Sequence, residues 1–238
     1  MRGVFFIVGP TATGKSEIAA DAAQQLNAEI VNADAFQIYR GLDFLSAKPD
    51  AATLAKAPHH LIGTMSILQE MSAGKFRDMA MAAIAKIHQN GKPALVVGGS
   101  GLYIKALTHG LTDNWKNARV DPKGVFLSRD RNELHERIDK RVEKMFETGA
   151  IEEVRKAGAM SATAGKMIGV REIHDLLAGK MSILQCIAQI QLKTRQYAKR
   201  QLTWFRHQTN FEPLNLSSHQ GIGNWILPRA RRAFEAQG

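Results

Sequence analysis

Eight residues near the start of the chain form a pattern that binds phosphate groups. They read GPTATGKS from Gly9 to Ser16 and fit G-x-x-x-x-G-K-[ST], between an apolar run and a helical pattern. In such a loop the backbone N–H groups surround an anion, Lys15 adds a positive charge, and Ser16 offers an oxygen to Mg²⁺. We therefore predict a diphosphate- or triphosphate-binding loop made by Gly9, Thr11, Ala12, Thr13, Gly14, Lys15 and Ser16.

Two reactive side chains follow other predicted strands. Asp34 comes shortly after the run at 29–32, and Ser100 lies in the GGSGLY segment after the run at 94–97. The carboxyl ends of strands in an open parallel sheet form the ligand crevice, so we expect both side chains at its rim beside the phosphate loop. A carboxylate there can act as a base or as a metal partner. The loop alone does not identify the bound compound, because kinases, ATPases and transferases all use one.

The elements that would position these residues alternate between strand and helix, which indicates a parallel sheet. Predicted strands cover residues 4–8, 29–32, 94–97, 125–127 and 211–216. The clearest helices cover 15–26 and 73–89, and the pattern after Asp130 is mostly helical. We predict an α/β fold: a P-loop NTPase-like parallel sheet flanked by helices, with a helical C-terminal portion, in a single domain spanning residues 1–238.

Apolar residues at helical spacing mark the faces by which two later helices should pack into the core. The first stripe comprises Leu134, Ile138, Val142 and Met145. The second comprises Ile183, Ile187, Ile190, Tyr197 and Trp204. We interpret both stripes as core contacts rather than as ligand-binding surfaces.

The chain carries a net charge of +10, and the positive charge is concentrated toward its end. Residues 193–238 contain eight basic and two acidic side chains. On a helix, Arg195 and Lys199 share one face, whereas Lys193 and Arg200 lie roughly opposite. This distribution favours a polyanionic partner, with a salt-bridged surface helix as the alternative.

The composition excludes several classes of protein. With 45% hydrophobic and 23% charged residues, the chain is not disordered, collagen-like or coiled-coil. Its one cysteine, Cys186, has no second thiol, which excludes a disulfide or a cysteine-rich zinc site within the chain. No apolar run approaches the roughly 18 residues needed to cross a bilayer. We therefore expect a cytoplasmic protein that does not associate with membranes.

Seven segments occur in an order that is informative when they are taken together. They are GPTATGKS, NADAFQIYRGLD with SAKP, HHLI, GGSGLY, LHERIDKRVEKMFETGAIEEV, IGVREI and TRQYAKRQLTWFRHQ. This set resembles the tRNA dimethylallyltransferase (tRNA isopentenyltransferase) family over most of residues 3–112 and 131–209. The resemblance implies that the phosphate loop holds dimethylallyl diphosphate. It also implies transfer of the dimethylallyl group to the exocyclic amine of the adenine 3′ to the tRNA anticodon.

The resemblance also implies roles for individual residues. Asp34 matches the family's catalytic aspartate, and a carboxylate that takes the proton assists an adenine amine, which is a poor nucleophile. Ser100, Arg141 and Arg171 match residues that act near the departing diphosphate. A metal contact is implied for Ser16, with Mg²⁺ as the ion. Substrate contacts are implied for Thr11, Thr13, Asp34, Gln37, Ser100, Arg195, Lys199 and Arg200.

Two departures from the family pattern are visible. Asp34 is followed by Ala35, where the family usually has serine. The family also carries a helical insertion of several dozen residues that grips the anticodon arm, whereas here residues 112–131 form only a shortened remnant. Residues 111–124, which contain Pro122, are polar and irregular and are predicted to be a linker.

The sequence thus favours a prenyltransferase acting on the anticodon stem-loop of tRNA with Mg²⁺, without a redox cofactor, as a monomer. One alternative uses free AMP, ADP or ATP as the acceptor, which would account for the short insertion. A small-molecule kinase or nucleotide-dependent switch is a second alternative, and an RNA-binding module that has lost its chemistry is a third.

Overall fold

A computed structural model describes residues 3–110, 122–218 and 223–235 of the chain. Within these ranges six strands form one sheet: β1 (Val4–Val8), β2 (Glu29–Asn32), β3 (His59–His60), β4 (Ala94–Gly98), β5 (Gly124–Ser128) and β6 (Glu212–Asn215). They pair in parallel in the order β3-β2-β4-β1-β5-β6. The α/β fold is confirmed, and five strands match their predicted bounds to within one residue. The short β3 was not predicted, because two residues cannot display an alternating pattern.

The helices of the described ranges connect the strands and dominate the chain after β5. They are α1 (Lys15–Leu26), α2 (Ala51–Leu54), α3 (Ala73–Gln89), α4 (Gly101–Thr108), α5 (Arg131–Thr148), α6 (Ala150–Ala157), α7 (Val170–Leu177), α8 (Ile183–Gln208) and α9 (Gly223–Glu235). None of the helices in these ranges is long and apolar enough to cross a membrane. Because α5 to α9 follow β5 with only one further strand among them in the described part of the chain, the predicted helical C-terminal portion is confirmed.

The sheet is buried on both faces because successive strand side chains point to opposite sides. In β1, Phe6 joins one hydrophobic cluster and Ile7 joins the other. Helices α1 and α9 cover the Ile7 face, largely through alanines that allow close packing. Helices α3, α4, α5 and α8 cover the Phe6 face, so residues on α5 and α8 can reach the same edge of the sheet.

The connections leave a crevice at the carboxyl ends of β1 and β4. The chain passes from β1 through α1 to β2 on one side of this pair, and from β4 to β5 on the other side. Ligands bind at such reversal points in open α/β sheets. The phosphate loop follows β1 and the Ser100 loop follows β4, so the topology brings the two segments together.

Part of the predicted insertion remnant belongs to the sheet instead. Residues 124–128 form β5, which pairs with β1 and β6, so these residues cannot be counted in a remnant spanning 112–131. Residues 111–121 lie outside the described residues. The prediction of a linker there stays a prediction.

The two long helices differ in how well their buried faces were predicted. The buried residues of α5 are the predicted stripe. On α8, by contrast, Ile183 is 46% exposed, and polar residues occupy part of the buried face. That face comprises Cys186, Ile190, Thr194, Ala198, Gln201 and Phe205. Of the predicted stripe, Ile190 lies in the core and Ile187 and Trp204 pack against it, so the expected core contact is confirmed for these three residues. Apolar periodicity alone misses Thr194 and Gln201, because they are polar.

Candidate active site

The phosphate loop between β1 and α1 is bent by unusual backbone conformations. Ala12 and Gly14 have φ angles of +65° and +94°, in the left-handed region. A Cβ at Gly9 would lie 2.3 Å from the carbonyl oxygen of Leu127, so only glycine fits there. The buried Thr13 donates its hydroxyl to the carbonyl of Pro10 at 2.9 Å. The loop therefore forms the concave backbone turn that the sequence predicted.

Lys15 begins α1 and reaches back over the loop. Its Nζ donates to the carbonyl oxygen of Pro10 at 2.8 Å. Burial lowers the pKa of Lys15 to about 8; the Arg141 charge contributes in the same direction, and the Asp34 carboxylate opposes it. Lys15 is thus a desolvated cation close to a carboxylate and to another cation, an arrangement suited to binding an anion.

Arg141 approaches the loop from α5. Its Nη2 donates to the hydroxyl of Thr11 at 2.8 Å, whereas its Nε is buried without a hydrogen-bond partner. Burial lowers the pKa of Arg141 to about 10, with Asp34 opposing and Arg137 reinforcing this effect. A buried N–H without a partner is costly, and an anionic ligand would supply the missing acceptor.

Two further arginines hold the loop, and their role is not evident from the sequence motifs. Arg129 donates from Nε to the carbonyl of Thr13 at 2.9 Å, and Arg137 donates from Nε to the carbonyl of Ala12 at 2.8 Å. The sequence could have indicated the role of Arg137, because Arg137 lies one helical turn before Arg141 on the same face of the helix. No such indication exists for Arg129, because Arg129 precedes α5 and does not share its helical spacing.

Asp34 follows β2 and is held by a turn of its own making. Its Oδ1 accepts the backbone N–H groups of Phe36 at 2.9 Å and of Gln37 at 3.2 Å. Its negative charge partly offsets the lowering of the Lys15 and Arg141 pKa values by burial. Burial raises the pKa values of Tyr103 and Tyr197, and the charge of Asp34 raises them further. The structure therefore brings the predicted carboxylate, lysine and arginine together, with two tyrosines beside them.

Ser100 occupies the first position before α4, next to the Asp34 turn. Its backbone N–H donates to the carbonyl of Ala33 at 3.3 Å. A third residue whose role is not evident from the sequence motifs, Gln201 of α8, contacts both this loop and the phosphate loop.

A cavity of about 670 Å³ lies beside the phosphate loop and the Asp34 turn, and Ser100 is not among its lining residues. Its charged lining residues include Lys15, Asp34 and Arg141, and Ser16 also lines it. Its lining also includes apolar side chains, among them Phe44, Pro49, Leu54 and Met145. Gln37 lines the cavity as well, and its Nε2 donates to the carbonyls of Ser46 at 3.3 Å and Ala47 at 2.9 Å. The cavity can therefore accept a molecule with an anionic and a small apolar part.

Arg171 lies elsewhere. It is on α7, its side chain is 84% exposed, and its Nε lies 4.0 Å from Asp175 Oδ2. It does not line the cavity. The structure does not bring Arg171 to the cavity, and its expected role near the diphosphate stays a prediction.

The basic residues of α8 fall into two groups. Arg195 donates to both carboxylate oxygens of Asp139 on α5, at 2.6 and 2.8 Å, and Lys193 pairs with the buried Glu172. These two cations are therefore neutralised by partners within the protein. Lys199 and Arg200 are exposed, and Arg200 lies 5.8 Å from the ring of Tyr197. Among the predicted substrate contacts of α8, these two remain available to a polyanion.

Comparison with known proteins gives a consistent result. The family model described as IPP transferase matches residues 37–123 and 113–208. A curated relative, tRNA dimethylallyltransferase 1 of Citrifermentans bemidjiense, is 37% identical over 270 aligned positions, covering 85% of this chain and 88% of its own. Because 270 positions exceed the 238 residues of this chain, that relative contains residues without a counterpart here.

A second curated relative aligns over fewer positions than this chain has residues. The tRNA dimethylallyltransferase of Oenococcus oeni is 37% identical over 221 positions, covering 86% of this chain and 85% of its own. Among solved structures, the full-length tRNA isopentenylpyrophosphate transferase of Bacillus halodurans superposes with a TM-score of 0.86 and 27% identity, covering 98% of both chains. With the phosphate loop, the Asp34 turn and the α5 arginines in one crevice, and with these matches across the chain, the protein belongs to the IPP transferase family.

Proposed function

We propose that this protein is a tRNA dimethylallyltransferase. It moves the dimethylallyl group of dimethylallyl diphosphate to the exocyclic amine of the adenine 3′ to the anticodon, position 37 of tRNA. The observation that carries the proposal is a single cavity in which a phosphate loop, two desolvated cations and an oriented carboxylate meet. The family and the names of the relatives support the same activity.

The charged residues that line the cavity suit the diphosphate. The phosphate loop, Lys15 and Arg141 would surround it, and the unpartnered Nε of Arg141 would donate to one of its oxygens. As the C–O bond to the dimethylallyl carbon breaks, the diphosphate keeps the electron pair and gains charge. Cations already in place stabilise such a leaving group, because they need no reorganisation during the reaction.

Asp34 suits the role of general base. Two backbone N–H groups hold Oδ1, and Oδ2 makes no hydrogen bond with the described residues, which leaves it for the acceptor amine. As the adenine nitrogen forms its bond to carbon, it loses a proton, and Oδ2 accepts that proton. The Ala35 departure does not remove this arrangement, because the two N–H groups belong to Phe36 and Gln37.

Mg²⁺ fits the donor set. Ser16 offers a hydroxyl beside the phosphate loop, and within the described ranges no cluster of three or more His, Cys, Asp or Glu could hold a metal ion. This chemistry suits Mg²⁺, which keeps several waters and binds largely through substrate phosphates. When bound, the ion would neutralise part of the diphosphate charge.

The acceptor is assigned to tRNA rather than to a free nucleotide. The exposed Lys199 and Arg200 lie on α8, the helix whose Gln201 contacts the loops of the site, so an element of the site also carries exposed positive charge. We also propose that the protein acts as a monomer.

Labelled dimethylallyl diphosphate offered with unmodified tRNA, and in parallel with AMP and ATP, tests the proposal. We expect label to enter tRNA at the adenine 3′ to the anticodon and to be absent from AMP and ATP. Label in AMP or ATP alone would identify an adenylate prenyltransferase. Tight ATP binding that the prenyl diphosphate does not displace would indicate a kinase instead.

A further inference from the structure

The side-chain amide of Gln201 bridges two loops of the active site. Gln201 lies on the buried face of α8 and is 6% exposed. Its Oε1 accepts the backbone N–H of Thr11 at 2.9 Å, and its Nε2 donates to the carbonyl of Gly99 at 2.8 Å. The reaction described above assigns no role to this residue.

The geometry around Gln201 is specific to an amide. One end must accept and the other must donate, which glutamine does at any pH, whereas glutamate does so only when it is protonated. The approach is also close: a Cβ at Gly99 would lie 2.4 Å from Nε2 of Gln201 and 2.9 Å from the carbonyl oxygen of Gly9. Gly99 therefore permits the contact between the two loops and the helix.

Both partners of Gln201 are directly connected to the reacting groups. Thr11 also accepts the hydrogen bond from Arg141, so Gln201 and Arg141 hold this residue by its backbone and its side chain. Gly99 precedes Ser100, whose N–H donates to the residue before Asp34. Beyond the pairing of β1 with β4, this one side chain thus links the loop that binds the diphosphate to the segment beside the turn that carries the base.

We propose that Gln201 is a positioning residue for prenyl transfer: it aligns the phosphate loop with the Ser100 and Asp34 segments without touching the substrates. This inference rests on the proposed function. Misplacement of reacting groups by about 1 Å can slow a reaction by roughly a hundredfold, so loss of the bridge should affect the reaction strongly.

The test compares Gln201→Met with Gln191→Met. Methionine keeps the length of the side chain and removes both hydrogen bonds. Gln191 lies on the same helix and donates from Nε2 to Asp139 and Glu143 of α5, so its replacement removes helix-packing bonds away from the loops. Steady-state transfer to tRNA gives kcat and both KM values, and calorimetry with dimethylallyl diphosphate counts competent sites.

For Gln201→Met we expect a KM for dimethylallyl diphosphate raised roughly tenfold and a kcat per competent site lowered roughly tenfold to a hundredfold, with the KM for tRNA within about twofold. Gln191→Met should have the wild-type KM for dimethylallyl diphosphate, kcat per competent site and KM for tRNA. A Gln201→Met protein with unchanged KM and kcat per competent site, and only fewer competent sites, would overturn the inference by showing a folding role. A wild-type protein that transfers no prenyl group would instead overturn the proposed function.

Discussion

At the scale of a single residue, replacement of Asp34 tests whether this side chain is the general base. Asp34→Asn keeps the side-chain oxygen that accepts from Phe36 and Gln37, so the turn should be retained. The variant cannot take a proton, and we expect kcat to fall by roughly 10² to 10⁴ while the affinity for dimethylallyl diphosphate changes little. Single-turnover transfer with saturating substrates measures this.

Asp43→Asn provides the matched control for Asp34. Asp43 also lines the cavity, but it pairs with Lys48 and has no assigned proton transfer. Its replacement should lower kcat by much less than that of Asp34. Near-normal turnover by Asp34→Asn would mean that another group accepts the proton.

The lowered pKa of Lys15 leads us to expect that the affinity for dimethylallyl diphosphate depends on pH. Because its pKa is lowered to about 8 by burial, Lys15 in the free protein is charged below pH 8 and loses its charge as the pH rises above that value. We expect the affinity for dimethylallyl diphosphate to weaken between pH 7 and pH 9 by roughly tenfold, the cost of losing one charge-assisted contact. Calorimetric titration at several pH values measures the change.

Lys15→Met separates this titration from that of the ligand. The variant should bind more weakly at pH 7, and its remaining affinity should vary little from pH 7 to pH 9. If the variant and the wild type show the same pH dependence, Lys15 is not the titrating group.

At the scale of elements, α8 contains cations with different tasks. Arg200 is exposed, whereas Arg195 is paired with Asp139. We expect Arg200→Ala to weaken tRNA binding and to reduce the salt slope of that binding by roughly one, as expected for loss of one phosphate contact. Filter binding of an anticodon stem-loop over a range of salt concentrations measures the slope.

Arg195→Ala removes an equal charge from the same helix. Here we expect the free energy of unfolding to fall by about 1 kcal/mol or less, as for a partly exposed ion pair, with little change in the salt slope. Denaturant unfolding measures the first quantity. Equal losses of salt slope in the two variants would show that Arg195 leaves Asp139 to contact RNA.

At the scale of the whole molecule, the short segment between β4 and α5 bears on tRNA recognition. Lys15, Asp34 and Arg141 line one cavity. The resemblance therefore implies weaker binding of the anticodon arm rather than a loss of chemistry. Phosphate contacts supply much of the affinity for nucleic acids, and base or shape contacts supply discrimination. We expect binding that is weak, falls steeply as salt rises and discriminates poorly between flanking bases.

Salt titration of tRNA binding, alongside transfer to stem-loops with altered flanking bases, measures these properties. Measurable transfer to any stem-loop with an accessible adenine is expected. Tight, salt-insensitive and base-selective binding would contradict the prediction, and would mean that recognition has been rebuilt elsewhere in the chain.

The sequence by itself determined the features that depend on neighbouring residues. The phosphate loop needs particular residue types at fixed spacing between a strand and a helix, so GPTATGKS is sufficient to identify it. The predicted strands were found because apolar, β-branched runs bounded by turn residues are local patterns. Asp34 and Ser100 followed from their places just beyond two strand ends, since parallel strands bring their carboxyl ends to the same edge.

Only the tertiary structure decided which long polar side chains reach the site. Arg129 and Arg137 bind carbonyls of the phosphate loop, and Gln201 meets Thr11 across 190 positions of sequence. Arg171, predicted beside the loop, instead points to solvent. The direction of a long side chain depends on which helices pack against one another and at what rotation. That information lies in contacts between distant residues, which no local pattern contains.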